Sequence, residues 1–187
     1  MKKGLIALIV LVIIVIIGFS WYFGTYNKFV ALEESVNSSW SEIDNQMLRR
    51  ADLIPNIVNT VKGYAAQEKD IFTAVAEARS KLIGAGSAED KIAANNELDS
   101  ALSRLLVVVE NYPELKSDKL FTQLMDELSG TENRISVARK RYNDIVKDFN
   151  TKIKMFPSNI IAGMSGYEQK PYYEIPDYAK TNPQVNF

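Results

Sequence analysis

The side chains best equipped for chemistry fall in two charged groups. Arg49, Arg50 and Asp52 crowd one stretch, Arg49-Arg-Ala-Asp-Leu-Ile-Pro-Asn56, and Glu132, Arg134, Arg139, Arg141 and Asp144 decorate another. Guanidinium groups recognise carboxylates and phosphates through paired N–H donors. The groups can therefore bind an anionic ligand or lipid headgroup, or pair as an ion network that fixes helix register. Residues two apart on a helix point away from each other, so Arg50 and Asp52 do not meet directly. Antiparallel packing would instead bring the arginine pair toward Glu132 or Asp126. Pro55 lacks the backbone donor that would reach the carbonyl of Ala51. That implies a kink, a helix restart with Asp52 as N-cap, or a carbonyl freed for a ligand. Trp40 and Tyr142 read as packing residues with polar rims, and Asn56 and Asn143 as groups able to bond across helices.

The chain has no His and no Cys. That removes His-containing triads, zincin motifs, the Glu-x-x-His di-iron pattern, thiolate chemistry and disulfides. No phosphate-cradling G-x-x-x-x-G-K-S/T loop occurs. Carboxylates, Lys, Tyr and Ser remain, so the expectation is no catalytic activity, no cofactor and no metal. An enzyme built on carboxylates is the rival from another class.

The elements that would hold these residues are helical nearly throughout. Phe29, Leu32, Val36, Trp40, Ile43, Met47, Ile54, Val58, Val61 and Ala65 recur at steps of three and four, with Ala51 filling the gap. That is the seam of helix-on-helix packing. Phe72, Val75, the stem of Arg79 and Leu82 carry a second stripe to Ile83. Gly84-Ala-Gly-Ser87 is a turn, and Ser87 with Asp90 marks a helix start. Ile92, Leu98, Ala101, Leu102, Leu105, Leu106 and Val109 lead to Asn111-Tyr-Pro113, where proline disfavours helix at Tyr112. Phe121, Leu124, Leu128, Thr131, Ile135, Ala138, Tyr142, Ile145, Phe149, Ile153 and Phe156 then keep heptad steps from a cap near Ser117 or Asp118 to Pro157. The expected fold class is all-α: an N-terminal transmembrane helix, then an antiparallel up-and-down bundle of long helices, four by length matching, in which residue 156 returns near the membrane.

The membrane segment is residues 4–23, an apolar run broken only by Ser20. A helix rising ~1.5 Å per residue needs roughly 20 such residues to cross the hydrocarbon core. Trp21, Tyr22 and Tyr26 stand at its far end, where amphipathic rings favour the headgroup layer. A cleaved signal peptide, with Gly18-Phe-Ser20 as its site, is the rival, but the apolar run continues past it into bulky aromatics. Lys2 and Lys3 precede the run with no acidic residue. This bias keeps residues 1–3 in the cytoplasm and sends the domain out of it, a cytoplasmic domain being the alternative. Without Lys2 and Lys3, the 22 basic residues become 20, against 23 acidic, a net of −3. The domain thus lacks the basic footprint of a nucleic-acid binder.

Residues 24–156 form the helical domain in this reading. Residues 157–187 are an irregular tail near the membrane, with four prolines (Pro157, Pro171, Pro176, Pro183) and five aromatics (Tyr167, Tyr172, Tyr173, Tyr178, Phe187). The tail is a strap along the bundle, a partner-binding peptide or an interfacial lipid contact.

Several motifs together resemble the LemA family of bacterial membrane proteins. They are Tyr26-Asn-Lys-Phe-Val30, Ser39-Trp-Ser-Glu-Ile-Asp44, the Arg49–Asn56 stretch, Val61-Lys-Gly-Tyr64, Leu105-Leu-Val-Val-Val-Glu-Asn-Tyr-Pro-Glu-Leu-Lys116, Gly130-Thr-Glu-Asn-Arg-Ile-Ser-Val-Ala-Arg139, Tyr142-Asn143, Phe149-Asn-Thr151 and Phe156-Pro157. The resemblance covers essentially the whole chain in order. One departure is Ala66-Gln-Glu68, where the family often has His before the glutamate; no histidine there matters to this chain. The resemblance implies one transmembrane helix and an antiparallel helical bundle, with no established activity or cofactor. It also links some relatives to membrane remodelling, and a topology with the N-terminus outside is often proposed, opposite to the lysine argument.

The expected function is a scaffold or adaptor in the bacterial inner membrane. It would hold the bilayer through residues 4–23 and present a rigid bundle to other membrane or envelope proteins or to copies of itself as a homo-oligomer. The candidate partner and assembly residues are Trp40, Arg49, Arg50, Asp52, Pro55, Asn56, Glu132, Arg139, Tyr142 and Asn143. Changing Arg49 and Arg50 to Ala is expected to disturb assembly more than folding. The second expectation is an oligomeric remodelling protein whose tail contacts lipid.

Overall fold

The computed structural model describes residues 2–174, and every described segment of regular structure is helical. Six helices form among the described residues: α1 (Lys2–Lys62), α2 (Lys69–Gly84), α3 (Ala88–Val109), α4 (Pro113–Lys116), α5 (Lys119–Lys154) and α6 (Ser158–Ser165). Two of them, α4 and α6, are short, at four and eight residues. Pro176, Tyr178, Pro183 and Phe187 of the tail lie outside the described residues.

Helix α1 runs for 61 residues without a break and passes through Pro55, so no helix restarts at Asp52. From Leu5 to Phe23 its large aliphatic and phenylalanine side chains stand open, and none of residues 4–21 is buried by the described chain. A helix apolar on all sides is stable in a bilayer or in a core, and this one has no core around it.

The chain forms two compact units. One consists of the chain up to Trp40 together with Arg141–Tyr172. There Phe29 meets Phe149 edge-on at 6.3 Å, and Trp40 meets Tyr142 at 5.7 Å. Rising numbers on α1 pair with falling numbers on α5, so the two run in opposite directions. The α5–α6 corner returns to the level of Trp21–Lys28, and a hollow of about 240 Å³ opens between them.

Two corrections to the sequence reading fall in this unit. The first concerns Phe156: α5 ends at Lys154, and Phe156 is 78% exposed. Past Tyr142 the buried positions are Val146, Phe149 and Asn150, with Ile145 and Ile153 only half-buried. A strict heptad drifts by ~20° per repeat against a straight 3.6-residue helix, so extending it over five repeats overshoots the buried face. The second concerns the irregular tail, whose start is helix α6. Ile161 and Ala162 are buried beneath it, and Gly166 closes it at φ 73°, a left-handed conformation that glycine adopts without strain.

The other unit contains Ser41–Lys140 and the chain from Tyr173. Its core includes Ile43, Met47, Ile54, Ile57, Val61, Val75, Leu82, Leu98, Leu105, Leu115 and Ile135. Helices α2 and α3 pack as an antiparallel hairpin across the turn at 85–87. Ser87 caps α3: its Oγ accepts from the Asp90 N–H at 3.0 Å and donates to the Asp90 carboxylate at 2.7 Å. Asp118 caps α5, its Oδ1 accepting from the Phe121 N–H at 2.9 Å. Such caps satisfy backbone donors that the first turn leaves open.

Candidate functional site

Arg50 lies on the buried face of α1, only 6% exposed. One terminal nitrogen meets Asp99 Oδ1 of α3 at 2.5 Å, and the other donates to Glu132 Oε2 of α5 at 2.8 Å. A single guanidinium thus ties three helices. The planar fork suits this, because it offers donors in fixed directions and never loses its charge. Asn95, one turn before Asp99, donates from Nδ2 to its second oxygen at 3.3 Å. Burial pushes the Asp99 carboxyl above its ordinary range, outweighing the downward pull of Arg50 beside it.

Tyr173 closes over this group. It is 3% exposed, and Arg139 stands 5.5 Å from its ring centre. Burial raises its hydroxyl from 10.0 to about 12 against the downward pull of Arg139; Asp99 and Glu132 also push it up. Aromatic stacking by a guanidinium is favourable when partly desolvated.

Pro55 has a partner of its own. Its ring removes the N–H that would have reached the Ala51 carbonyl, and Arg79 Nε of α2 donates to that oxygen instead, at 2.8 Å. The freed carbonyl is thus taken by a side chain of the same molecule. The Arg79 NH2 nitrogen also comes within 3.9 Å of Asp52, whose side chain is 78% exposed.

The remaining candidates divide by location. Arg49 reaches Glu127, not Asp126, at 3.6 Å, with both side chains more than half exposed. Pro55 and Asn56 face outward on the same helix. Trp40, Tyr142 and Asn143 belong to the unit that carries the apolar leader. Tyr142 donates its hydroxyl to the Pro171 carbonyl at 3.0 Å, and Asn143 is half-buried. Nearby, Asn150 grips the Lys170 backbone twice, accepting its N–H and donating to its carbonyl, each at 2.8 Å. Tyr167 stacks on Phe29 at 5.0 Å, and Lys170 pairs with Glu33 at 2.7 Å.

The structure therefore joins Arg50 with Glu132, sets Arg139 beside Tyr173, and pairs Trp40 with Tyr142. It leaves Arg49, Asp52, Pro55 and Asn56 on the open side. Sequence reasoning missed Asp99, Asn95, the head of Arg79 and Lys170. The available signal for the first two was their 95/99 spacing beside the apolar face of α3. Chemically, the Arg50 group is a neutralising clamp: both terminal nitrogens already hold carboxylates, so a free anion meets no open fork. Among the described residues no cluster of three or more acidic, His or Cys side chains is placed to hold a metal ion.

The model described as the LemA family matches residues 39–187. The chain belongs to the LemA family. Every member of the Arg50 group lies inside the LemA match, and the apolar leader lies before it. The LemA-family chain is 27% identical over 175 residues to magnetosome protein MamQ 2 of Paramagnetospirillum magneticum, with 80% of this chain and 64% of the relative covered. It is 26% identical to magnetosome protein MamQ of Magnetospirillum gryphiswaldense, covering 79% and 64%. Protein LemA of Metamycoplasma hominis is 28% identical over 142 residues, with 75% and 65% covered. The chain thus spans just under two thirds of the length of these curated relatives.

Proposed function

We propose that this LemA-family protein is a membrane-anchored helical scaffold, which crosses the bilayer with residues 4–23 and offers its helical domain to envelope proteins or to copies of itself. The observation that carries this reading is the open apolar surface from Leu5 to Phe23, which nothing in the described chain covers. Exposing such a surface to water would be prohibitive, whereas a bilayer solvates it. The Arg50 group supports a structural purpose for the buried charges, since both terminal nitrogens of Arg50 are spent on carboxylates of the same chain. No catalytic role is part of this proposal.

The open residues of α1, Arg49 and Asn56, are the surface on which assembly would act. Arg50 no longer belongs with them, because its burial makes it a folding residue. The N-terminus is proposed to stay in the cytoplasm, because topology follows charges close in sequence to the first span, here Lys2 and Lys3.

Photo-crosslinkers at Arg49 and Asn56, in membranes containing the full chain, test the scaffold reading. Discrete crosslinked species, with a complex on native gels that shrinks in the Arg49→Ala/Asn56→Ala double variant, support it. A monomeric band without crosslinks at either position contradicts it.

A further inference from the structure

The unit that carries the anchor has a second apolar surface, left open where the chain returns to the membrane end. Met155, Phe156, Ile160 and Met164 are each more than half exposed or close to it, Phe156 at 78% and Met164 at 73%. Ile160 and Met164, four apart within α6, lie on one helical face, and Phe156 stands open in the turn just before that helix. The opposite side of α6 is spent on packing: Ser158, Ile161 and Ala162 are buried, and Ser158 Oγ donates within the corner to the carbonyls of Lys152 and Met155, at 2.7 and 2.8 Å. The helix is therefore fixed from behind, with its open side turned away from the protein.

What lies beside this face is decisive. Phe156 and Ser158 line the same hollow as Trp21, Thr25, Lys28 and Lys152. Trp21 stands near the far end of the apolar run of α1, at the level where amphipathic rings meet the headgroups. Residues 21–28 of a helix span ~10 Å along its axis, so Phe156 sits within about two turns of the rim of the anchor. The segment 149–167 contains Lys152 and Lys154 and no acidic residue. An apolar face flanked by lysines is what interfacial helices present to anionic lipid.

We propose that the α5–α6 corner is a second lipid contact, in which Phe156, Ile160 and Met164 enter the interfacial layer of the bilayer that α1 crosses, with Lys28 and Lys152 meeting anionic headgroups. This rests on the anchoring reading above. The contact makes the anchor a two-point attachment, which restricts how the membrane-proximal unit tilts and rotates on its single span. A protein surface or a second copy over the same face is the competing occupant.

The test uses the full chain in phosphatidylcholine–phosphatidylglycerol vesicles and two single-tryptophan forms. Trp40→Phe keeps Trp21 as a reporter of the anchor. Trp21→Phe with Trp40→Phe and Phe156→Trp places the reporter on the corner. Bromines near the top of the acyl chains quench from inside the bilayer, and iodide quenches from water. The expected result is equal bromine quenching of the two reporters and equal shielding from iodide. Quenching of Trp21 with free iodide access at position 156 overturns the proposal and leaves the anchor standing. Shielding at 156 without bromine quenching assigns the face to protein and also overturns it. Loss of bromine quenching at Trp21 removes the anchoring reading itself. In phosphatidylcholine alone, quenching at 156 should weaken relative to Trp21; an unchanged ratio would overturn the role given to the lysines. Should the Phe156→Trp form lose helicity, Met164→Trp in the same background carries the identical comparison.

Discussion

When Arg50 is replaced by Ala, Asp99 is left in a place that already disfavours its charge, and Glu132 loses its partner. Removing one member of a buried pair costs about 3–5 kcal/mol, and the low end applies here because Glu132 is half exposed. Arg49→Ala removes only a long, open pair and should change stability by less than ~1 kcal/mol. Denaturant unfolding of the two variants side by side checks the contrast; equal losses would mean that Arg50 does not hold the three helices. Tyr173 makes a separate prediction. Its hydroxyl is raised in the folded state from 10.0 to about 12, so the folded protein keeps that proton longer than the unfolded chain. The resulting stability is complete below pH 10 and is lost as pH rises toward 12. Tyr173→Phe should remove one late-titrating group from the tyrosinate absorbance. An unchanged titration in that variant would contradict the burial of the ring.

Among the elements, the pairing of Pro55 with Arg79 is the most specific device. A double-mutant cycle isolates it. Arg79→Ala should cost about 1.5–3 kcal/mol beside Pro55, as expected when a charged donor is lost from a carbonyl. Beside Pro55→Ala the helix regains its own donor to Ala51, and the cost should fall by roughly 1 kcal/mol. Identical costs in both backgrounds would refute the substitution of Arg79 for the missing N–H. This device shows where sequence reading stops. Pro55 announced a missing donor, but the identity of the replacement depends on which residue of α2 comes back alongside α1. Local chemistry was readable by contrast: Ser87 with Asp90 marked the start of α3, and Pro113 separated α3 from the helix that follows. The buried stripe of α1 was readable because steps of three and four repeat within one helix. Asp99 was not, since a lone carboxylate beside an apolar face gains meaning only when an arginine arrives from another helix. Helix α6 was hidden because its proline and glycines suggested irregular chain, while its apolar residues are too few to show a period.

For the molecule as a whole, the consequential property is attachment. The apolar leader and the first stripe of buried residues belong to one continuous helix, α1. The proposed orientation rests on Lys2 and Lys3. Protease added to intact cells has access to the envelope side only as far as the outer layers permit, so a C-terminal tag should be cut in spheroplasts whose inner membrane is sealed. Protection of the tag until that membrane is opened would place the domain in the cytoplasm instead. Whether residues 4–23 remain on the protein and hold it in the bilayer is read from the intact mass of the protein recovered from alkali-washed membranes. The account requires the full 21.1 kDa chain, still carrying its leader, in the membrane pellet. A shorter chain beginning near Trp21 in the soluble fraction would contradict it.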